Sequence, residues 1–282
     1  MARTEHMQKN QTILTITSDK SWGFPNLREL WSFRELIWIL VTRDIKIRYK
    51  QTVIGILWAL LQPLLTMVVF TVIFGKLGGL PSDNLPYPVF VMTALLPWQL
   101  FAKALTQGST SMVTMGGMMG KIYFPRLIAP LSSILSGLVD FAISFTILIG
   151  LMVWYQVYPG WEVLLAPVFI LLALMSAMAV ALWLSAVNAK YRDVQQAMPF
   201  LTQIWMFITP VIYPTSMIPE AWKWLFMLNP MVSVIDGFRW SLLGVRPPDM
   251  TSLVVSSLSI LVLAITGLIY FAHFEKDFVD RL

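Results

Sequence analysis

Residues 43–65 read RDIKIRYKQTVIGILWALLQPLL, and the change of character inside them decides the fold. Arg43, Asp44, Lys46, Arg48 and Lys50 crowd the first eight positions, and no charge then follows until Lys76. A soluble helix separates polar from apolar residues around its circumference. Here the separation runs along the chain, so the surroundings must change along the chain too. The uncharged run 53–74 holds 22 residues. As a helix it rises roughly 33 Å, enough for a hydrocarbon core of about 30 Å.

The rest of the chain agrees. Of 282 residues, 57% are hydrophobic and 12% charged, against roughly 25% charged in a soluble domain. Mean hydropathy is +0.71. A soluble protein with a large core would need polar surface that this chain lacks. Five more apolar runs follow, and none shows the period-2 alternation of a barrel strand. The prediction is an all-α membrane protein with six transmembrane helices, at about 53–74, 86–106, 127–156, 163–188, 195–214 and 251–272. The absence of cysteine excludes disulfides and thiolate chemistry. His6 and His273 lie near opposite ends, which excludes a histidine metal cluster. The first 25 residues carry scattered charges and no long apolar run, so a cleaved signal peptide is not expected.

Charge distribution sets the orientation. Six spans place the N-terminus, the 2–3 loop, the 4–5 loop and the C-terminus on one side. Of the 20 lysines and arginines, only Lys76, Lys223, Arg239 and Arg246 fall on the other. This bias puts both termini in the cytoplasm. It also directs the net charge of +5 toward membrane lipid rather than nucleic acid. The chain then divides into a cytoplasmic tail (1–25), an amphipathic interface helix with a basic elbow (26–50), a transmembrane domain (51–275) and a cytoplasmic tail (276–282).

Two flanks need separate treatment. On a helix over 26–42, Leu30, Phe33, Ile37, Leu40 and Val41 share one side, and Arg28, Ser32, Glu35 and Thr42 the other. That pattern predicts a helix lying on the membrane surface, although Ile39 interrupts its polar side. The stretch 215–250, TSMIPEAWKWLFMLNPMVSVIDGFRWSLLGVRPPDM, is apolar but is divided by Pro219 and Pro230. It predicts two short re-entrant or interfacial helices on the outer side. A seventh span would reverse the C-terminus, and Asp236 with Arg239 inside one apolar segment argues against it. Tyr213, Trp222, Trp224 and Trp240 suit the interfacial zone.

Several function classes are excluded or weakened. No internal repeat is evident, which weakens a transporter built on inverted repeats. There is no Gly-x-x-x-x-Gly-Lys-Ser/Thr, so the chain cannot cradle ATP with its own P-loop. GGMMG at 116–120 precedes Lys121 with neither a strand before it nor a Ser or Thr after it, and is expected to be a flexible loop. Asp140 is the one carboxylate deep in a span. It fits either a proton or substrate site or a packing contact helped by Ser136, Gly137 and Ser144. No second ionisable group is evident at its depth, which favours packing. Arg43, Lys46, Arg48 and Lys50 anchor the topology and could also bind an anionic headgroup such as a diphosphate. Trp58, Trp183 and Trp205 lie away from span ends and suit either sugar stacking or helix packing.

Five motifs occur in a familiar order: residues 43–65, YFPRLIAPLSSILSGLVDF (123–141), WLSAVNAKYRDV (183–194), TPVIYP (209–214) and NPMVSVIDGFRWSLLG (229–244). From about residue 25 to 275 the chain resembles the membrane subunit of ABC-2-type polysaccharide exporters, which carry O-antigen, capsule or teichoic acid chains across the bacterial inner membrane. The resemblance implies a homodimer working with two copies of a P-loop ATP-binding subunit, which would hold ATP and Mg. It implies a polyprenyl-diphosphate-linked glycan as substrate and raises the expectation that Arg43, Lys46, Arg48 and Lys50 meet the diphosphate. It also implies coupling contacts at Arg28 and Glu35, at Lys121 and Arg126, and at Tyr191, Arg192 and Asp193. Trp222, Trp224, Asp236 and Arg239 would shape the outer mouth, and Asp140 would be a packing residue. Two alternatives remain: an ABC-2 permease for a small hydrophobic molecule, and a proton-coupled secondary transporter using Asp140.

Overall fold

The computed structural model describes residues 27–50 and 55–278. The expected tail at 1–25 and the start of the first span therefore lie outside the described residues. Among the described residues ten α-helices follow in order: α1 (Leu27–Ser32), α2 (Arg34–Lys50), α3 (Leu57–Phe70), α4 (Tyr87–Met119), α5 (Ile128–Trp154), α6 (Ala166–Lys190), α7 (Asp193–Ile208), α8 (Glu220–Met227), α9 (Pro230–Leu243) and α10 (Met250–Phe278). A π-helical turn, Thr71–Leu77, extends α3, and a 3-10 turn, Trp161–Leu165, precedes α6. No strand occurs among the described residues.

Five of these units are long and apolar enough to cross a membrane: Leu57–Leu77, Tyr87–Met119, Ile128–Trp154, Trp161–Lys190 and Met250–Phe274. The expected span at 195–214 is helical only over α7, whose 16 residues rise roughly 24 Å. Pro210 and Pro214 follow it, and a proline supplies no N–H to continue a helix. The stretch 215–250 does form two short helices, α8 and α9, as expected.

α4 and α6 form the centre. Every residue from Val89 to Trp98 of α4 is buried, and α4 also packs on α9 and α3. Small side chains let the central helices approach closely. A Cβ placed on Gly108 of α4 would stand 2.8 Å from the Ala181 methyl of α6. One placed on Gly237 of α9 would stand 1.9 Å from Phe169. α3 and α10, by contrast, leave Leu64, Leu65, Val68, Val254, Leu258 and Leu261 exposed, an apolar outer surface suited to lipid.

Three sequence expectations need correction. First, α4 continues to Met119 rather than stopping near 106, and Gly116 and Gly117 of GGMMG lie inside it. The Ser and Thr hydroxyls of 109–114 bond back to carbonyls three or four residues earlier, and Met112, Met115 and Gly116 are buried. Packing overrides the weak local propensity of glycine. Second, α2 runs through the basic cluster to Lys50, so the elbow is helical. Third, the apolar side of α1–α2 faces protein. Leu40 joins Met112, Met115, Phe124, Ile128, Leu182 and Phe271 in one apolar cluster, with Leu30, Phe33 and Ile37 against it. Trp31, Trp38 and Ile39 stay exposed, so the helix is apolar on two sides. This cluster gathers α1–α2, the α4–α5 connection and the end of α6 at one pole of the molecule, the basic end.

Candidate functional site

At Asp140 the fold assembles charges that are far apart in the chain. The carboxylate is buried on α5. From Asp140 to Trp154 the helix rises roughly 21 Å, so within a core of about 30 Å it lies in the half nearer the basic end. It accepts hydrogen bonds from the Arg48 guanidinium and the Tyr49 hydroxyl of α2, and the Lys103 ammonium of α4 stands 3.5 Å away. Arg48 also donates to the Ser136 hydroxyl at 3.4 Å, and that hydroxyl donates to the Gln107 side-chain oxygen at 3.4 Å. Three helices thus meet at one carboxylate. A buried carboxylate without partners costs several kcal/mol; here two cations and a phenol offset that cost. Burial, followed by the hydrogen bond to Asp140, pushes the Tyr49 phenol up to about 12, so it remains a donor.

The hub corrects the expectation that no second ionisable group lies near Asp140. The signal was available as two lone opposite charges, Lys103 and Asp140, in successive apolar helices. Placing Lys103 at the margin of a shorter helix concealed it. Ser136 and Ser144 take part as expected, but as hydrogen-bonding groups.

Just above the hub, Ser144 repairs a neighbouring helix. Pro63 lies inside α3 and cannot donate to the carbonyl of Ala59, four residues earlier. The Ser144 hydroxyl of α5 shares its proton between that oxygen at 3.1 Å and the Asp140 carbonyl of its own helix at 2.8 Å. The repair ties α3 to α5 where water could not satisfy the carbonyl.

At the opposite pole, Arg239 serves the backbone. It is 3% exposed on α9 and donates to the carbonyls of Pro210 at 2.8 Å and Val211 at 2.7 Å. Its guanidinium carbon lies 3.7 Å from the centroid of the Phe90 ring. Burial pulls it down to about 10, opposed by the nearby Asp236 and Asp83 carboxylates, so it stays charged at neutral pH. Other groups around the break after α7 are bonded too. The Tyr213 hydroxyl donates to the Phe207 and Ile208 carbonyls at 3.3 Å, and the Asn229 amide donates to the Thr209 hydroxyl at 2.9 Å. Asn229 further accepts from the Trp205 indole at 3.1 Å and from the Met231 amide, capping α9.

The other expected site residues are placed as follows. Arg43 pairs with adjacent Asp44 at 2.9 Å, and Lys46 and Lys50 are exposed. Arg28 and Glu35 are exposed on α1 and α2. Lys121 and half-buried Arg126 lie in the α4–α5 connection, and exposed Tyr191, Arg192 and Asp193 lie where α6 meets α7. Trp222 and Trp224 are exposed on α8, whereas Asp236 accepts a hydrogen bond from the Thr215 hydroxyl at 2.6 Å. Trp183 stacks on Tyr270 at 4.5 Å and Trp205 packs on Phe101 at 5.1 Å, so both serve helix packing. Trp58 alone of the three is exposed.

The ABC-2 type transporter model matches residues 35–243, from the start of α2 to the end of α9. This chain belongs to the ABC-2 type transporter family. Among its relatives in that family is the O-antigen export system permease protein RfbA of Myxococcus xanthus. The two are 32% identical over 259 residues, which cover 91% of this chain and 98% of the relative. An RfbA of Klebsiella pneumoniae is 27% identical over 253 residues, covering 88% and 95%. The polysialic acid transport protein KpsM of Escherichia coli is 24% identical over 206 residues, covering 70% and 77%. The matched region of this ABC-2 chain contains the hub, the Pro63 repair and the Arg239 staple.

Proposed function

We propose that this chain is the membrane subunit of an ATP-driven exporter that moves lipid-linked polysaccharide across the bacterial inner membrane. The observation that carries this reading is the relationship to an O-antigen export permease over 91% of the chain. Because the chain has no P-loop, ATP and Mg would bind a partner subunit, two copies serving a homodimer of this chain. Six passes, with α7 as the fifth, would leave both termini in the cytoplasm and α8–α9 on the outer side.

The hub gives this reading a route for force. The partner would dock on the basic end, at Arg28 and Glu35, at Lys121 and Arg126, and at Tyr191, Arg192 and Asp193. A push on α2 moves Arg48, and Arg48 holds Asp140 of α5 beside Lys103 of α4. Docking would therefore be felt at two spanning helices. With two cations to one carboxylate, the hub keeps an excess positive charge, which together with Arg43, Lys46 and Lys50 suits a diphosphate headgroup. Trp222 and Trp224, beside Asp236 and Arg239, would border the outer mouth.

A strain lacking the gene should accumulate lipid-linked polymer on the cytoplasmic side, and the purified chain should carry a P-loop ATPase with it. Undiminished polymer at the cell surface of that strain overturns the reading. Single cysteines test the topology, since the chain has none of its own. An impermeant thiol reagent should label position 220 in intact cells and position 192 only after permeabilisation.

A further inference from the structure

A cavity of about 610 Å³ opens at the pole opposite the basic end. It lies between the turn before α4, the segment joining α7 to α8, the helices α8 and α9, and the chain leading into α10. Its size falls among small-molecule sites of roughly 300–1,000 Å³. Asp83, Glu220, Asp236 and Asp249 supply its carboxylates, and Lys223, Arg239 and Arg246 its cations.

Most of these charges are already engaged. Asp249 caps α10 through the Ser252 amide at 3.1 Å, and Asp236 accepts from Thr215. Glu220 pairs with Lys223, and Arg239 holds the break after α7. Asp83 and Arg246 face the same cavity without a hydrogen bond or ion pair among the described residues. Asp83 and Asn84 are consecutive non-glycine residues in the left-handed region, with φ of 52° and 63°. Asp and Asn tolerate that region better than most residues, but two in succession still store strain, and such residues cluster at functional sites. The turn is closed by the Leu85 amide on the Ser82 carbonyl at 3.0 Å and by the Ser82 hydroxyl on the Leu85 carbonyl at 2.6 Å.

The ligand follows from the lining. Four carboxylates against three cations give no strong field of either sign, which disfavours a phosphate and a polycation alike. An exposed carboxylate and an exposed guanidinium, neither bonded among the described residues, line the same cavity, and hydroxyl groups can serve both. Phe226, Met227 and Val232 offer an apolar wall for the C–H face of a sugar ring. We propose that this cavity binds a saccharide unit, with Asp83 accepting from its hydroxyls, Arg246 donating to them and Phe226 supporting the ring. The proposal rests on the export reading for the presence of glycan at this pole.

The test uses the full chain purified in detergent. Its probe is the producing cell's own glycan, freed from its lipid by mild acid and followed by saturation-transfer NMR. Wild-type protein should bind saturably. Asp83→Ala and Arg246→Ala should each weaken binding about tenfold, the loss of one charge-assisted hydrogen bond. Lys76→Ala should match wild type, and all variants should keep the wild-type elution volume. Unchanged affinity in both variants overturns the assignment to this cavity. Absence of saturable binding by wild type overturns the saccharide class, as does full competition by inorganic phosphate. The export reading stands or falls separately on the deletion strain, so the two failures are distinguishable.

Discussion

Arg48 and Arg239 solve opposite problems with the same side chain. Arg239 is almost fully buried and bonds carbonyls that its own fold leaves open, where α7 breaks. Arg48 is about a quarter exposed and bonds side chains on another helix, the Asp140 carboxylate first and the Ser136 hydroxyl at 3.4 Å. The first contact cannot be exchanged without rebuilding the backbone around 210–211. The second is an ion pair between separate elements and can loosen while every helix keeps its own hydrogen bonds. A rigid pole and an exchangeable contact at the other would suit the route for force proposed above.

The largest expected effect breaks the rigid side of this contrast. Arg239→Ala would leave two buried carbonyls without these donors and cost about 2–6 kcal/mol, at about 1–3 kcal/mol for each orphaned group. The protein should lose much of its folded yield and its thermal transition in detergent. Arg239→Lys should recover only part, since one ammonium cannot match the planar fork. A wild-type transition in Arg239→Ala would remove the structural role. Next, Asp140→Ala leaves Arg48 and Lys103 facing each other and should cost roughly 1–3 kcal/mol. Combining it with Arg48→Ala should cost less than the sum of the single changes, with a coupling of about 0.5–3 kcal/mol in a double-mutant cycle. Strict additivity would mean the ion pair carries nothing.

Two smaller effects sharpen the picture. Ser144→Ala orphans the Ala59 carbonyl and should cost about 1 kcal/mol. Adding Pro63→Ala supplies an amide donor from within α3, so the double variant should melt above Ser144→Ala. A double variant no better than the single one would refute the repair. Lys103→Gln should change stability by less than about 1 kcal/mol, because its contact is longer and partly exposed. Export measured in this variant should fall if the excess charge of the hub matters, and stay level if Lys103 only neutralises Asp140.

The helical class, the apolar runs and the two short helices at 215–250 were legible because they follow from composition, length and proline placement. Those are local quantities. The contacts at Asp140 were not legible, since they join positions 48, 103 and 140 through the register of three helices. Arg239 shows the same limit. Its sequence neighbours suggest a charge at an interface, and only the break after α7 turns it into a partner for carbonyls. The true end of α4 was concealed because glycine and serine at 108–117 look like a loop until the cluster around Leu40 is known.

If α7 is the fifth of six passes, as proposed above, its shortness has a consequence for the lipid. Its 16 residues rise roughly 24 Å, against a hydrocarbon thickness of about 30 Å. Phe200, Leu201, Ile204, Phe207 and Ile208 lie along its exposed side. Wherever that side touches lipid, the acyl chains must shorten their reach by several ångström, and headgroups and water come closer to the midplane. A hydrophilic polymer crossing beside such a helix meets a thinner barrier than the surrounding membrane presents. Bilayers of shorter acyl chains should then favour activity of the reconstituted complex.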